Sequence, residues 1–98
     1  MTLEAEIEPL LPNQIRLSGP FKHNDQIKTI PGAKYKAPYA ADGSIKLDLG
    51  WRAPLTWQVC LALRTTFGAD LELGANLRTW AREYRDTIVA PAMHLRVA

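Results

Sequence analysis

Hydrophobic residues recur along this chain at two spacings, and each spacing predicts a different secondary structure. Four segments alternate apolar and polar residues, which is typical of strands with one buried face. These segments are residues 14–18, 33–37, 45–53 with a bend at Gly50, and 71–73. Between the second and third segments, Asp42-Gly43 predicts the turn of a hairpin.

Three other segments place apolar residues three or four positions apart, which predicts helices with one buried face. These segments are residues 23–30, 56–67 and 76–90. Their predicted boundaries are Asn24 or Asp25 and Pro31-Gly32 for the first, Thr56 and Gly68 for the second, and Asn76 and Pro91 for the third. The third has the most regular stripe, formed by Leu77, Trp80, Ala81, Tyr84 and Ile88.

The order of these elements is β-α-β-β-α-β followed by one more helix. It predicts an α+β fold of the ferredoxin-like, split βαβ kind, with two helices on one face of a four-stranded antiparallel sheet. The chain has 98 residues, which is enough for one domain with its own core. We predict a single domain over residues 14–90, with an acidic segment 1–13 before it and a tail 91–98 after it.

The other face of this sheet is predicted to be basic. By the alternation, the apolar residues of the strands face the helices, and five cations point the opposite way: Arg16, Lys34, Lys36, Lys46 and Arg52. The net charge of the chain is only +2, but residues 14–64 carry eight bases and three acids, a net charge of +5. A basic surface of this kind is typical of domains that bind an anionic polymer, although many unrelated domains reach the same charge.

Few residues suggest catalysis, a cofactor or a metal. Cys60 lies among apolar residues, as a small core residue of a reducing compartment does, and His23 is expected at the surface or at a helix start. The sequence shows no zinc-ligand spacing, phosphate-binding glycine loop or nucleophile elbow, so we predict a protein that is not an enzyme and has no cofactor. It also shows no membrane span and no signal peptide, which indicates a cytoplasmic protein.

The central part of the chain resembles a known module. The pattern is Ile27-Lys28-Thr29-Ile30-Pro31-Gly32-Ala33-Lys34-Tyr35, then Trp51-Arg52-Ala53-Pro54-Leu55-Thr56, Phe67-Gly68 and Leu77–Ala81. It is similar to the region before the motor core of phage-encoded Swi/Snf-type DNA helicases and to the HARP-type modules of annealing helicases. In that family the turn between the two sheet segments is usually short, whereas residues 38–50 intervene here. The motor core is not part of this sequence, so either it has been removed or this is a free-standing copy of the accessory domain.

The resemblance implies recognition of single-stranded or junction DNA beside a helicase motor, in the host cytoplasm if a phage encodes the protein. It does not imply ATP hydrolysis. On this hypothesis Arg16, Lys34, Lys36, Lys46 and Arg52 neutralise phosphates, and Tyr35 or Trp51 stacks on a base. The alternative is a small phage protein that binds a host or phage protein through its last helix, whose arginines at 78, 82 and 85 form a second stripe.

Overall fold

The structure is a computed structural model that describes residues 2–92. These residues form one sheet and a layer of helices. The strands are β1 (Leu3–Glu8), β2 (Leu11–Ser18), β3 (Lys34–Lys36), β4 (Gly50–Pro54) and β5 (Leu71–Leu73). The helices are α1 (Asn24–Ile27), α2 (Trp57–Phe67) and α3 (Ala75–Tyr84), with short 3₁₀ turns at Phe21–His23 and Gly68–Asp70 and a π-helical turn at Arg85–Val89.

The sheet has five strands in the order β3-β4-β2-β1-β5. The predicted α+β class is confirmed, but the sheet differs from the predicted four-stranded antiparallel one. Strand β1, which comes from the acidic segment, lies between β2 and β5 and pairs in parallel with β5. The other pairs are antiparallel. If β1 is left out, the other strands follow the order β3-β4-β2-β5. Helix α1 lies in the connection from β2 to β3, and α2 lies in the connection from β4 to β5.

One face of the sheet and the helices bury a single apolar core. Its strand residues are Leu3, Ala5, Ile15, Leu17 and Ala53, and its helical residues are Ile27, Val59, Leu63, Phe67 and Leu77. Burying one such aliphatic or aromatic side chain contributes about 1.5–3 kcal/mol, so this cluster supplies most of the driving force for folding. Because all three helices contribute to the same cluster, they leave the opposite face of the sheet without a helix.

Helix α2 begins and ends where the sequence predicts. Thr56 has an extended backbone, and its Oγ1 accepts a hydrogen bond from the backbone N–H of Val59 at 3.1 Å. Such a cap stabilises a helix by about 1 kcal/mol. Gly68 follows the helix with φ of 53°, a conformation in which a Cβ would be strained.

Helix α1 is shorter than predicted, and His23 is placed differently. No side chain caps α1: His23 occupies the N-cap position without a capping hydrogen bond, and the Asn24 Oδ1 accepts a hydrogen bond from the Trp51 indole N–H at 3.2 Å. Of the two positions expected for His23, the helix start is confirmed, because His23 directly precedes α1, and the surface is wrong: the residue is buried, with its ring edge-to-face against Phe67 at 5.4 Å between centroids. Burial against an aromatic ring gives this histidine a role in packing.

Helix α3 is capped by a residue from β1. The Glu6 carboxylate accepts hydrogen bonds from the backbone N–H of Asn76 at 3.1 Å and of Leu77 at 2.8 Å. A carboxylate at a helix N-terminus pairs unsatisfied donors and complements the helix dipole. The predicted stripe is only partly covered, because Leu77 is buried whereas Ile88 is exposed. The predicted helix end at Pro91 is wrong, because the helical backbone continues through Pro91 to Ala92, and residues 93–98 of the predicted tail lie outside the described part of the chain.

Residues 37–49 form what we call the cover loop, which lies against the helix-free face of the sheet. Its predicted Asp42-Gly43 turn is present, and Gly43 has φ of 75°. The Asp42 carboxylate accepts hydrogen bonds from the backbone N–H and the hydroxyl of Ser44. The strand predicted at residues 45–49 is not formed. Within this segment, Lys46 makes a single isolated β-bridge, to Tyr39. The Ala41 N–H donates to the Leu10 carbonyl at 2.9 Å, which attaches the loop to the β1–β2 turn.

Candidate nucleic-acid interface

The helix-free face carries a row of charged residues, as the alternation predicts. Across four adjacent strands the register aligns Glu6, Arg16, Arg52 and Lys34. Like charges directly opposite one another destabilise a sheet, so three neighbouring cations need anionic partners close by. Those partners, Glu8 and Asp48, decide which of the cations are free to bind a ligand.

Arg52 is fully buried beneath the cover loop. Its Nε donates to Glu8 Oε2 at 3.2 Å, and its Nη2 donates to Asp48 Oδ1 at 3.3 Å. Its Nη1 donates to two backbone carbonyls, those of Lys36 at 2.8 Å and Asp48 at 2.9 Å. The prediction that Arg52 lies on an open surface and meets phosphate is therefore wrong. A buried guanidinium with its donors satisfied holds the loop to the sheet instead.

Arg16 is partly exposed but already has a carboxylate partner. Its Nη1 and Nη2 donate to the two oxygens of Asp48 at 2.9 and 2.8 Å, the bidentate geometry that binds carboxylates most strongly. These hydrogen bonds to Arg16 lower the pKa of Asp48 to about 2, and the same contact raises the pKa of Arg16. Glu8 lies 4.0 Å from the same guanidinium. The positive charge of Arg16 is therefore largely compensated within the domain.

The three candidate lysines are closer to solvent. Lys34 is exposed on the edge strand β3, and Lys36 is half-buried on the same strand. Lys46 is exposed on the cover loop, with its ammonium 6.0 Å from the ring centroid of Tyr39, at the outer limit of a cation–π contact. The structure thus divides the predicted basic surface between a buried Arg52, a partly exposed Arg16 that is paired with Asp48, and peripheral lysines.

The two aromatic candidates meet at the end of the sheet where β2 finishes and β4 begins. Tyr35 and Trp51 are paired across β3 and β4, with ring centroids 5.3 Å apart and planes tilted by 58°. Tyr35 is 56% exposed on the edge strand, whereas Trp51 is half-buried and held by its hydrogen bond to Asn24. One ring is therefore available to a ligand, and the second supports it.

These rings line an open groove of about 670 Å³. Its walls come from the end of β2, the start of β4 and one side of α1. The lining residues that matter for binding are Tyr35, Trp51, Leu49, Arg16 and Lys28. The groove therefore combines aromatic and aliphatic surface with two cations at its rim, an arrangement suited to a flat ring that carries a negative charge nearby.

No protein-family model matches this chain, and neither a curated protein nor a solved structure does. The function of this site is therefore inferred from its geometry and from the sequence resemblance described above.

Sequence reasoning missed four residues of this region. Glu8 and Asp48 neutralise the arginines, and Lys28 and Leu49 join the groove. In the sequence, Asp48 looks like an ordinary polar residue of an alternating strand. Its pairing with two arginines follows only from the strand register, which places Arg16 next to Arg52. The two groove residues carry no motif, because their role arises from the packing of α1 against the sheet.

Other chemistry is limited in the described part of the chain. Cys60 is only partly buried, and burial raises the pKa of its thiol, which disfavours a reactive thiolate. Among residues 2–92 there is no group of three or more His, Cys, Asp and Glu side chains arranged to hold a metal ion. Each helix in this range is too short or too polar to span a lipid bilayer.

Proposed function

We propose that this domain is a non-catalytic module that binds single-stranded or forked DNA in the groove beside Tyr35 and Trp51. The observation that carries the proposal is the exposed Tyr35 ring, supported by Trp51, in an open groove with cations at its rim. Single-strand binding domains combine the same two features, an aromatic ring on which a base stacks and positive charge along the backbone path.

The groove has few cations at its rim, so it suits contact with a short stretch of a phosphate backbone. Lys28 lies on the rim with its side chain 64% exposed, and its pair with Asp25 at 3.6 Å is a surface contact of little strength. Lys34 and Lys46 are also exposed, but Lys34 points to the helix-free face, opposite to Tyr35, and Lys46 lies on the cover loop, so neither lines the groove. Arg16 contributes less than the sequence suggested, because Asp48 already occupies its guanidinium.

The sequence resemblance supports DNA as the polymer and an accessory role beside a helicase motor. The quoted motif includes both groove aromatics, Tyr35 and Trp51, as well as Lys34. In this proposal the motif residue Arg52 does not contact DNA. It is buried, and its hydrogen bonds attach the cover loop to the sheet. The proposed contact surface is therefore narrower than the predicted one and centres on the aromatic pair.

The test is fluorescence anisotropy with labelled oligothymidylate, forked DNA and duplex DNA. Stacking on an aromatic side chain contributes about 1–3 kcal/mol per base, so Tyr35→Ala should weaken single-strand binding about 5- to 150-fold. Tyr39→Ala is the matched control, because Tyr39 is similarly exposed, at 62%, but lies outside the lining of the groove. It should bind like the native chain or nearly so.

Salt dependence provides a second, independent reading of the same experiment. The slope of log affinity against log salt should be about −0.7 for each phosphate contacted on a single strand, and Lys28→Gln should make it shallower by about one contact. If the native chain binds none of these DNAs at low salt, the proposed function is wrong. If it binds but Tyr35→Ala and Tyr39→Ala are indistinguishable, the function stands and the groove is not the site.

A further inference from the structure

A second groove lies between α2 and α3, where both helices pass the edge strand β5. It encloses about 260 Å³, and its apolar lining includes Leu61, Leu71 and Leu73, of which Leu61 is 49% exposed. Its rim carries four arginines, one from α2 and three from the last helical segment: Arg64, Arg78, Arg82 and Arg85. This groove has no residue in common with the proposed DNA groove.

Most of this positive charge has no anionic partner in the domain. Among residues 2–92, Arg64, Arg78 and Arg82 make no ion pair, and Arg85 pairs with Asp86 at 3.2 Å. Arg78 donates only to the backbone carbonyl of Leu73, at 3.2 Å. Like charges one helical turn apart slightly destabilise a helix. The repulsion between Arg78 and Arg82 therefore lowers the stability of the helix a little, and a bound anionic ligand offsets that loss.

We propose that this groove binds an acidic peptide segment of a partner protein, one that also carries apolar side chains. Carboxylates match the planar fork of an arginine, and the leucines at the base accept an aliphatic or aromatic side chain of the same peptide. Strand β5 is the last strand of the sheet, so its outer edge can also pair with an extended chain. The surface therefore offers charge, apolar contact and backbone donors and acceptors together.

The lining of the groove favours a peptide over a nucleic acid. Its one large aromatic residue, Trp57, is stacked on Tyr84 with centroids 5.5 Å apart and planes only 15° apart. That ring is therefore already paired, and the remaining apolar surface is aliphatic, which gives a nucleobase no free platform for stacking. Glu83, an acid of the same helix, lines a different depression together with Trp80 and Ile88.

The experiment selects peptides from a random displayed library with the native chain and measures the selected peptides by anisotropy. We expect the selected sequences to be enriched in Asp and Glu next to Leu, Phe or Trp. Arg82→Glu should weaken their binding about tenfold or more, since a charge-assisted contact is replaced by repulsion. Lys46→Glu is the charge-matched control on the cover loop and should leave binding unchanged.

A charge swap makes the result specific to the groove. The double variant Arg64→Glu, Arg82→Glu should lose the acidic peptide and gain binding to the same peptide with lysines in place of its acids. Circular dichroism and the melting temperature establish that each variant is folded. Selected peptides without an acidic excess, or acidic peptides that bind the double variant as well as the native chain, would overturn the proposal. Displacement of the peptide by oligothymidylate, together with loss of DNA binding in Arg82→Glu, would instead assign the groove to nucleic acid.

Discussion

The burial of Arg52 gives the most decisive prediction about stability. The guanidinium makes four hydrogen bonds to Glu8, to Asp48 and to two backbone carbonyls, while being fully shielded from solvent. Arg52→Met keeps an unbranched apolar stem but shortens the side chain and removes the charge and every donor. It leaves the Glu8 carboxylate, itself only 11% exposed, without its closest cation.

The expected cost follows from the general behaviour of buried ion pairs. Removing one partner of such a pair destabilises a protein by about 3–5 kcal/mol, because the remaining charge is left uncompensated. A domain of this size has a total stability of about 5–15 kcal/mol, and its melting temperature falls about 4–8 °C per kcal/mol lost. Arg52→Met should therefore lower the melting temperature by at least about 12 °C, as measured by circular dichroism.

A double-mutant cycle separates the ion pair from simple packing. Replacing both members, Arg52→Met with Glu8→Leu, removes the unpaired charge, so the double variant should be more stable than Arg52→Met alone. Arg64→Met is the control, since Arg64 is exposed and makes no ion pair among the described residues, and it should change stability by less than about 0.5 kcal/mol. Urea unfolding gives all these free energies on one scale.

The cover loop provides a second reading of the same variant. Arg52 holds the carbonyls of Lys36 and Asp48, next to the two ends of the loop, so Arg52→Met should loosen the loop backbone and make the already exposed Lys46 a better trypsin site. Mass spectrometry should then find faster cleavage after Lys46 and unchanged cleavage after Lys28. A loss below about 1 kcal/mol, an additive double variant, or an unaltered cleavage pattern would each refute the role assigned to Arg52.

Two further perturbations test other contacts. Asp48 has its pKa lowered from 3.8 to about 2 by Arg16, so the stability it contributes is complete above about pH 4 and is lost as the pH falls through about 2. The melting-temperature difference between the native chain and Asp48→Asn should therefore shrink over that range, and a constant difference would contradict the assignment. Glu6→Ala removes the acceptor for two backbone N–H groups at the start of α3 and should cost about 1–2 kcal/mol in urea unfolding, with exposed Glu4→Ala as the neutral control on the same strand.

Period and capping residues were sufficient to predict most of the elements. Helix α2 is the clearest case, because Thr56 and Gly68 act locally and their effect does not depend on the rest of the fold. By contrast, β1 was missed although Leu3, Ala5 and Ile7 alternate with glutamates. The glutamates gave the segment an acidic composition with low strand propensity, and only pairing with two neighbouring strands makes it a strand.

The candidate site was predictable in part for a similar reason. Tyr35 and Trp51 lie together because β3 and β4 pair in the hairpin that Asp42-Gly43 predicts, but that turn alone places Tyr35 opposite Gly50, so their exact register was not predictable. Arg52 could not be placed correctly, because an arginine in an alternating segment is normally at the surface, and its partner Glu8 is 44 residues away along the chain. The alternation at residues 45–49 was misleading because Ile45 and Leu49 are exposed in a loop that serves the arginine rather than the core.

The position of β1 constrains the order of events during synthesis. The first strand of this domain to leave the ribosome pairs with the last one made, Leu3 with Leu71, so the sheet lacks its last edge strand until nearly all of the described residues have emerged. Until then β1 presents a free edge that β5 will later occupy, and the early hairpin must persist without its final neighbour. Folding of this small domain is thus tied to completion of its carboxyl-terminal third, and contacts between such distant segments are expected to make it slow for its size.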